Sequence, residues 1–240
     1  MKHISKVICA VSALILLTSV LCMMYILDYY PANETAISAL NSNDDISVEF
    51  LEDQIIFSPS LPKAGFVFYP GGKVEFTAYS PLMKALAEQN IICVLLKMPC
   101  NLAVLDADAA DGIIEQYPDV DRWYIGGHSL GGSMAASYAS KVSSEFEGLV
   151  LLASYSTADL SGTSLRVISL FGTEDGVLNQ EKYYDYKTNL PHTTVETVIE
   201  GGNHAYFGSY DQQDGDGTAR ISPREQILLT SDALADFFLE

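Results

Sequence analysis

The chain has 240 residues, 48% of them hydrophobic, and 31 acidic against 13 basic side chains give it a formal charge of −18. That excess of negative charge argues against nucleic acid or anionic lipid headgroups as partners and describes a soluble, self-repelling surface. Four cysteines without metal-ligand spacing, and no phosphate-cradling glycine loop, give no sign of a metal or cofactor.

The first element is apolar. Val7 to Leu27 is a 21-residue run without a charge, and as a helix it would span roughly 31 Å, the thickness of a bilayer's hydrocarbon core. Lys2 and Lys6 precede it and Asp28 follows, so the positive-inside bias puts the N-terminus in the cytoplasm and the remainder outside the membrane. A cleaved signal has a shorter apolar region closed by a small-x-small site. The nearest such triplet here, Ala36-Ile37-Ser38, lies well beyond the run, and bulky Leu21 before Cys22 does not suit a lipoprotein. Residues 1–28 therefore read as an uncleaved single-pass anchor, with cleavage and secretion as the alternative. Residues 29–45, polar and carrying Pro31 and Asn33, read as a linker. Residues 46–240 suit one domain with a full-sized core.

Ile46–Leu51 and Gln54–Phe57 alternate like an antiparallel pair. Gly65–Tyr69 is a buried type of strand, stopped by Pro70-Gly71-Gly72. Ser80 as N-cap and Pro81 at the first helical position start a helix that ends before Asn90. Ile91–Leu96 is a continuous apolar run, typical of a strand covered on both faces. Leu102–Gln116 reads as mostly helical, closed by Pro118, before the strand Trp123–Ile125. A small-residue helix follows, then strands at Leu149–Ala153 and Leu165–Phe171, a helix over Asn179–Asn189, and a last strand at Thr194–Ile199. Ser222-Pro223-Arg224-Glu225 is a capping box. It opens a final helix whose Ile227, Leu228, Leu234, Phe237 and Phe238 form an apolar face. Alternation of strand and helix implies an α/β fold, a mostly parallel sheet of about eight strands with helices on both faces.

Between the fifth strand and the small-residue helix stands Gly127-His128-Ser129-Leu130-Gly131, the G-x-S-x-G pattern of a nucleophile elbow. The serine occupies a tight strand-to-helix turn, and the flanking glycines let the two elements approach. Cys9 and Cys22 lie in the apolar run. Cys93 and Cys100 flank a strand, and seven extended residues span roughly 20 Å, too far for a disulfide; all four read as free thiols.

With the elbow after strand five, an acid after strand seven and a histidine after strand eight, the chain resembles the α/β-hydrolase family from about Ile46 onward. Tyr69–Val74, Lys97–Val104, Gly126–Gly132, Phe171–Gly176 and Glu200–Gly208 are similar to compact, lidless bacterial members. The resemblance implies the order nucleophile, acid, histidine on loops at the carboxyl ends of strands. It makes Ser129 the nucleophile, Asp175 the acid and His204 the base, with Asp159, after strand six, as reserve acid. Glu174 is one residue off. His192 falls at the opposite end of the sheet, His3 in the cytoplasm, and His128 beside the serine reads as packing. The resemblance also implies an oxyanion hole from the N–H of Leu130 and, in the loop after strand three, of Gly72.

Lys97 ends a central strand at the same edge; it reads either as a surface lysine or as a cation lining the pocket. Asp211–Gly217 hints at a calcium loop but lacks the EF-hand spacing and reads as a solvated acidic turn. The expectation is a serine hydrolase acting on a small ester, thioester or lactone, without a cofactor, at the cell membrane. A short connection before the Asp175 strand implies an open, shallow pocket. An idle membrane-held binding domain, or another chemistry of the fold such as acyl transfer, is the alternative. Oligomeric state is not legible.

Overall fold

The computed structural model describes residues 2–240, except the side chains of residues 2–5 and 7–10. Eight strands form one sheet: β1 (Ile46–Phe50), β2 (Gln54–Pro59), β3 (Ala64–Tyr69), β4 (Ile91–Leu96), β5 (Trp123–His128), β6 (Gly148–Leu152), β7 (Arg166–Gly172) and β8 (Val195–Ile199). Their spatial order is β1-β2-β4-β3-β5-β6-β7-β8. The β1–β2 and β2–β4 pairings are antiparallel and all others parallel. Every residue of β3, β4, β5 and β6 is buried, which is why these segments read as unbroken apolar runs and not as alternating ones.

The six helices are α1 (Lys2–Leu27), α2 (Glu34–Ala39), α3 (Ser80–Ala87), α4 (Leu130–Ala139), α5 (Gln180–Asp185) and α6 (Pro223–Leu239). The period-two geometry of a strand sends successive side chains to opposite faces. On β3, Phe66 and Phe68 join Leu82 and Leu86 of α3 and Phe237 and Phe238 of α6 in one core. Val67 and Tyr69 join Ala135 and Ala139 of α4 in the other. Half of the capping box expected at α6 is present: Ser222 accepts from the Glu225 N–H, with Pro223 in the first turn, while among the described residues no return bond joins the Glu225 carboxylate to the Ser222 N–H. Of its expected apolar face, Ile227, Leu234, Phe237 and Phe238 are buried, while Leu228 is exposed.

Three expectations are corrected. Leu102–Gln116 is not mostly helical but a string of turns with 3-10 pieces at Ala103–Leu105 and Ile114–Gln116. The buried Tyr69 hydroxyl donates to the Ala107 carbonyl and accepts from the Ala110 N–H, occupying backbone groups that a helix needs for its own ladder. Ser80 does not cap α3: its hydroxyl turns back to the Thr77 carbonyl, because a 3-10 turn at Phe76–Tyr79 already leads into the helix. The stretch 29–45, read as a linker, carries structure of its own. Asn33 caps α2 through the Thr35 and Ala36 amides, Ala36 is buried, and Tyr30 and Ala32 form bridges to Val74 and Tyr210.

Among the described residues no helix is long and apolar enough to cross a membrane. The expected anchor's first four residues, Val7–Ala10, lie outside the described side chains, as do His3 and Cys9. From Val11 on, α1 leaves its apolar side chains exposed, Leu14, Leu16 and Leu27 by more than 60%. Cys22, Cys93 and Cys100 are free thiols.

Candidate active site

The site is assembled at the carboxyl edge of the sheet by three connections. At the first, Ser129 joins β5 to α4 with φ 52° and ψ −121°, a conformation that a residue with a Cβ holds only when its surroundings force it. The forcing is visible in the flanking glycines. A Cβ on Gly131 would overlap the Tyr69 and Pro70 carbonyls, and one on Gly127 would strike Tyr69 and the start of α4.

At the second connection, Asp175 follows β7. Its Oδ1 accepts the Val177 and Leu178 amides at 2.9 and 2.8 Å, which fixes the carboxylate. At the third, His204 follows β8, and its Nδ1 lies 2.9 Å from Asp175 Oδ2. The two side chains are 1% and 0% exposed. A carboxylate only accepts, so Nδ1–H is the donor of this bond, and Nε2 is buried and without a partner. Ser129 and His204 line one cavity of about 250 Å³ with Leu130, Ser133, Tyr155 and Asn179.

The loop after β3 runs beside the elbow. Leu130 opens α4, so its N–H belongs to the helix's unpartnered first turn and to the positive end of its dipole. Gly72 lies against it: a Cβ there would come within 2.9 Å of the Leu130 side chain. The neighbouring amides are engaged, Gly71 to the Tyr79 hydroxyl, Lys73 to the Asn101 carbonyl and Val74 to the Gly71 carbonyl. Among the described residues the Gly72 N–H has no such acceptor.

His128 is more than packing. The Gly71 N–H donates to the Tyr79 hydroxyl at 3.0 Å, and that hydroxyl is hydrogen-bonded to His128 Nδ1 at 2.8 Å. The His128 ring lies 4.4 Å from that of His204. Burial, and then the neighbouring His204, push the His128 pKa well below the usual imidazole range, so this ring is neutral. It links the loop after β3 to the elbow.

Asp216 was not legible as part of the site. The stretch read as a solvated acidic turn in fact grips the histidine loop. Asp216 Oδ1 accepts the amides of Gly176, His204 and Gly217 at 3.1, 3.2 and 2.8 Å, and Oδ2 that of Ala205 at 2.8 Å. The signal was local: an aspartate between Gly215 and Gly217 stands where backbone can fold around a carboxylate. From the other side, buried Gln226 of α6 accepts the Asn203 N–H and donates to the Asn203 carbonyl.

Other candidates fall away from the cavity. Asp159 spends Oδ1 on the amide and hydroxyl of Ser161. Glu174 pairs with Arg220. His192 is exposed ahead of β8. Exposed Lys97 reaches toward the Glu52 carbonyl and does not line the pocket, which removes the reading of Lys97 as a pocket cation.

A sheet of this order with a strained serine after its fifth strand, lining one cavity with the histidine of a buried Asp–His pair, is the arrangement of the α/β hydrolases. Residues 65–228 match the alpha/beta hydrolase family, and the chain belongs to it, as an enzyme of the hydrolase type. Solved structures share the fold. A predicted CIB-like hydrolase from Thermoplasma acidophilum is 15% identical at a TM-score of 0.58, covering 80% of this chain and 99% of its own. TT1662 from Thermus thermophilus is 13% identical at 0.60, covering 81% and 98%. Est1E from Butyrivibrio proteoclasticus is 12% identical at 0.57, covering 82% and 98%. No curated protein sequence matches the chain.

Proposed function

We propose that this hydrolase works through Ser129 as nucleophile, His204 as general base and Asp175 as the acid that orients it, on a small carboxylic ester, thioester or lactone. The observation that carries the reading is the buried Asp175–His204 pair, its unpartnered Nε2 sharing one small cavity with a strained Ser129. In the reaction Nε2 takes the hydroxyl proton as Oγ attacks the carbonyl carbon. The same proton passes to the departing alkoxide or thiolate, leaving an acyl group on Ser129. Water, deprotonated by the same nitrogen, releases the acid. Asp175 keeps the proton of Nδ1 in place and stabilises the imidazolium. The N–H groups of Leu130 and Gly72 face the developing oxyanion.

A cavity of about 250 Å³ is below the usual range for drug-sized ligands and favours short acyl groups. The 21-residue uncharged run from Val7 to Leu27, with its described apolar side chains exposed, supports anchoring of the chain in the cell membrane with the catalytic portion outside.

A fluorophosphonate probe tests the chemistry: wild type takes the label and S129A does not. Equal labelling of both sinks the serine reading. Among p-nitrophenyl esters of graded length the rate falls beyond short acyl chains, and a rate rising with chain length contradicts the pocket assignment. A reporter fused to the C-terminus tests topology, since activity of a cytoplasm-only reporter overturns the orientation.

A further inference from the structure

The segment between α1 and α2 touches both loops that flank the nucleophile. The Tyr30 N–H donates to the Lys73 carbonyl at 2.7 Å, and the Tyr30 carbonyl accepts the Glu75 N–H at 2.9 Å. Two residues on, the Ala32 N–H donates to Glu75 Oε2 at 3.0 Å. These bonds grip residues 73–75, next to Gly72. On its other side the same segment grips the stretch after His204. Ala32 bridges antiparallel to Tyr210, the Asn33 N–H donates to the Ser209 carbonyl at 3.0 Å, and the Tyr30 hydroxyl accepts the Asp214 N–H at 3.1 Å. The Tyr30 ring lies 5.8 Å from that of Tyr210.

We propose that residues 30–33 are a working part of the active site: a strap, inserted like a short strand between the loop after β3 and the histidine loop, that sets the position of Gly72 relative to His204. Tyr30 and Ala32 are positioning residues; neither lines the cavity. The two loops come from strands on either side of the elbow, and residues 73–75 and 209–214 are joined through this segment. A shift of an ångström at an oxyanion donor costs up to about a hundredfold in rate, so the strap acts on turnover more than on substrate affinity. It follows that processing at Ala36-Ile37-Ser38 would release the strap and disable the product, whereas a cut before Asp28 would not.

The inference rests on the serine-hydrolase reading for its kinetics but not for its geometry. The test compares wild type with A32P, which removes the N–H given to Glu75, Y30A and the conservative Y30F, each with its thermal unfolding recorded. Active sites are titrated with a fluorophosphonate, so that rates refer to competent sites alone. Per titrated site, A32P and Y30A are expected to lose about tenfold or more in kcat on p-nitrophenyl acetate with KM within about twofold, and Y30F to recover most of the loss. Amide hydrogen exchange is expected to quicken in A32P at residues 71–75 and 204–210. Wild-type kcat per site in both A32P and Y30A, or unchanged exchange at those two loops in A32P, overturns the strap. Absence of label and turnover in wild type overturns the serine reading instead, and exchange then decides the strap alone.

Discussion

Ser129 is held at a backbone angle that suits glycine better, and strain of this kind costs of order 1–3 kcal/mol. S129G should therefore be inactive yet more stable than wild type, by up to about that amount, in denaturant titration. His128 gives a pH dependence of known sign. Its folded pKa lies well below the ordinary value, so below about pH 6.5 the unfolded chain binds a proton that the folded chain refuses. Stability is accordingly lost as pH falls through that range, and H128Q should show a shallower fall in melting temperature between pH 7.5 and 5 than wild type. Y79F strands both the Gly71 N–H and His128 Nδ1. The expected outcome is a loss of about 1–3 kcal/mol together with a fall in kcat, measured by unfolding and by steady-state kinetics.

The elements show what can and cannot be seen in a sequence. Strands covered on both faces, such as Ile91–Leu96, announce themselves as apolar runs, and the Gly127–Gly131 pattern marks the elbow because a strand-to-helix reversal this tight leaves no room for a Cβ. The cap of α6 was equally plain, since Ser222 and Pro223 act on their own neighbours. The failure at Ser80 is local, a 3-10 turn running straight into α3, but the larger ones are long-range. Leu102–Gln116 has helix-compatible composition, but Tyr69, more than thirty residues earlier, takes its backbone groups. Asp216 is an ordinary acidic residue until the fold brings Gly176 and His204 around it. Of the candidate site, Ser129, Asp175 and His204 were picked out by motif and strand order, and the fold brings them to one edge. The grip of Asp216 and Gln226 on the histidine loop was not legible, because it depends on partners distant in the chain. D216A removes the acceptor of four amides at one stroke; we expect a drop in kcat of at least about tenfold and a lower melting temperature, by kinetics and calorimetry.

At the scale of the whole molecule, two cysteines of the domain report on the same fold in opposite ways. Cys93 is buried in β4, and burial raises its thiol pKa well above the ordinary value, whereas Cys100 is exposed. In native protein a maleimide should modify Cys100 within minutes and leave Cys93 untouched until unfolding; modification of Cys93 at a comparable rate would contradict the packing of the central sheet. The charge of −18 acts at this scale too. It gives the surface a field that repels anionic solutes, so reaction with a neutral ester should be less sensitive to ionic strength than reaction with an anionic one.

The docking of Tyr30 also limits how far the domain can stand from α1. Only Asp28 and Tyr29 separate Leu27, the last residue of α1, from Tyr30 on the rim of the catalytic edge, a reach of at most about 11 Å. Were α1 to sit in a bilayer as proposed, the domain would be on no long leash. Its catalytic edge would be held toward the headgroups, with a gap too narrow for a folded macromolecule to enter from above. Substrates would arrive laterally, as small solutes or as molecules already moving in the plane of the membrane.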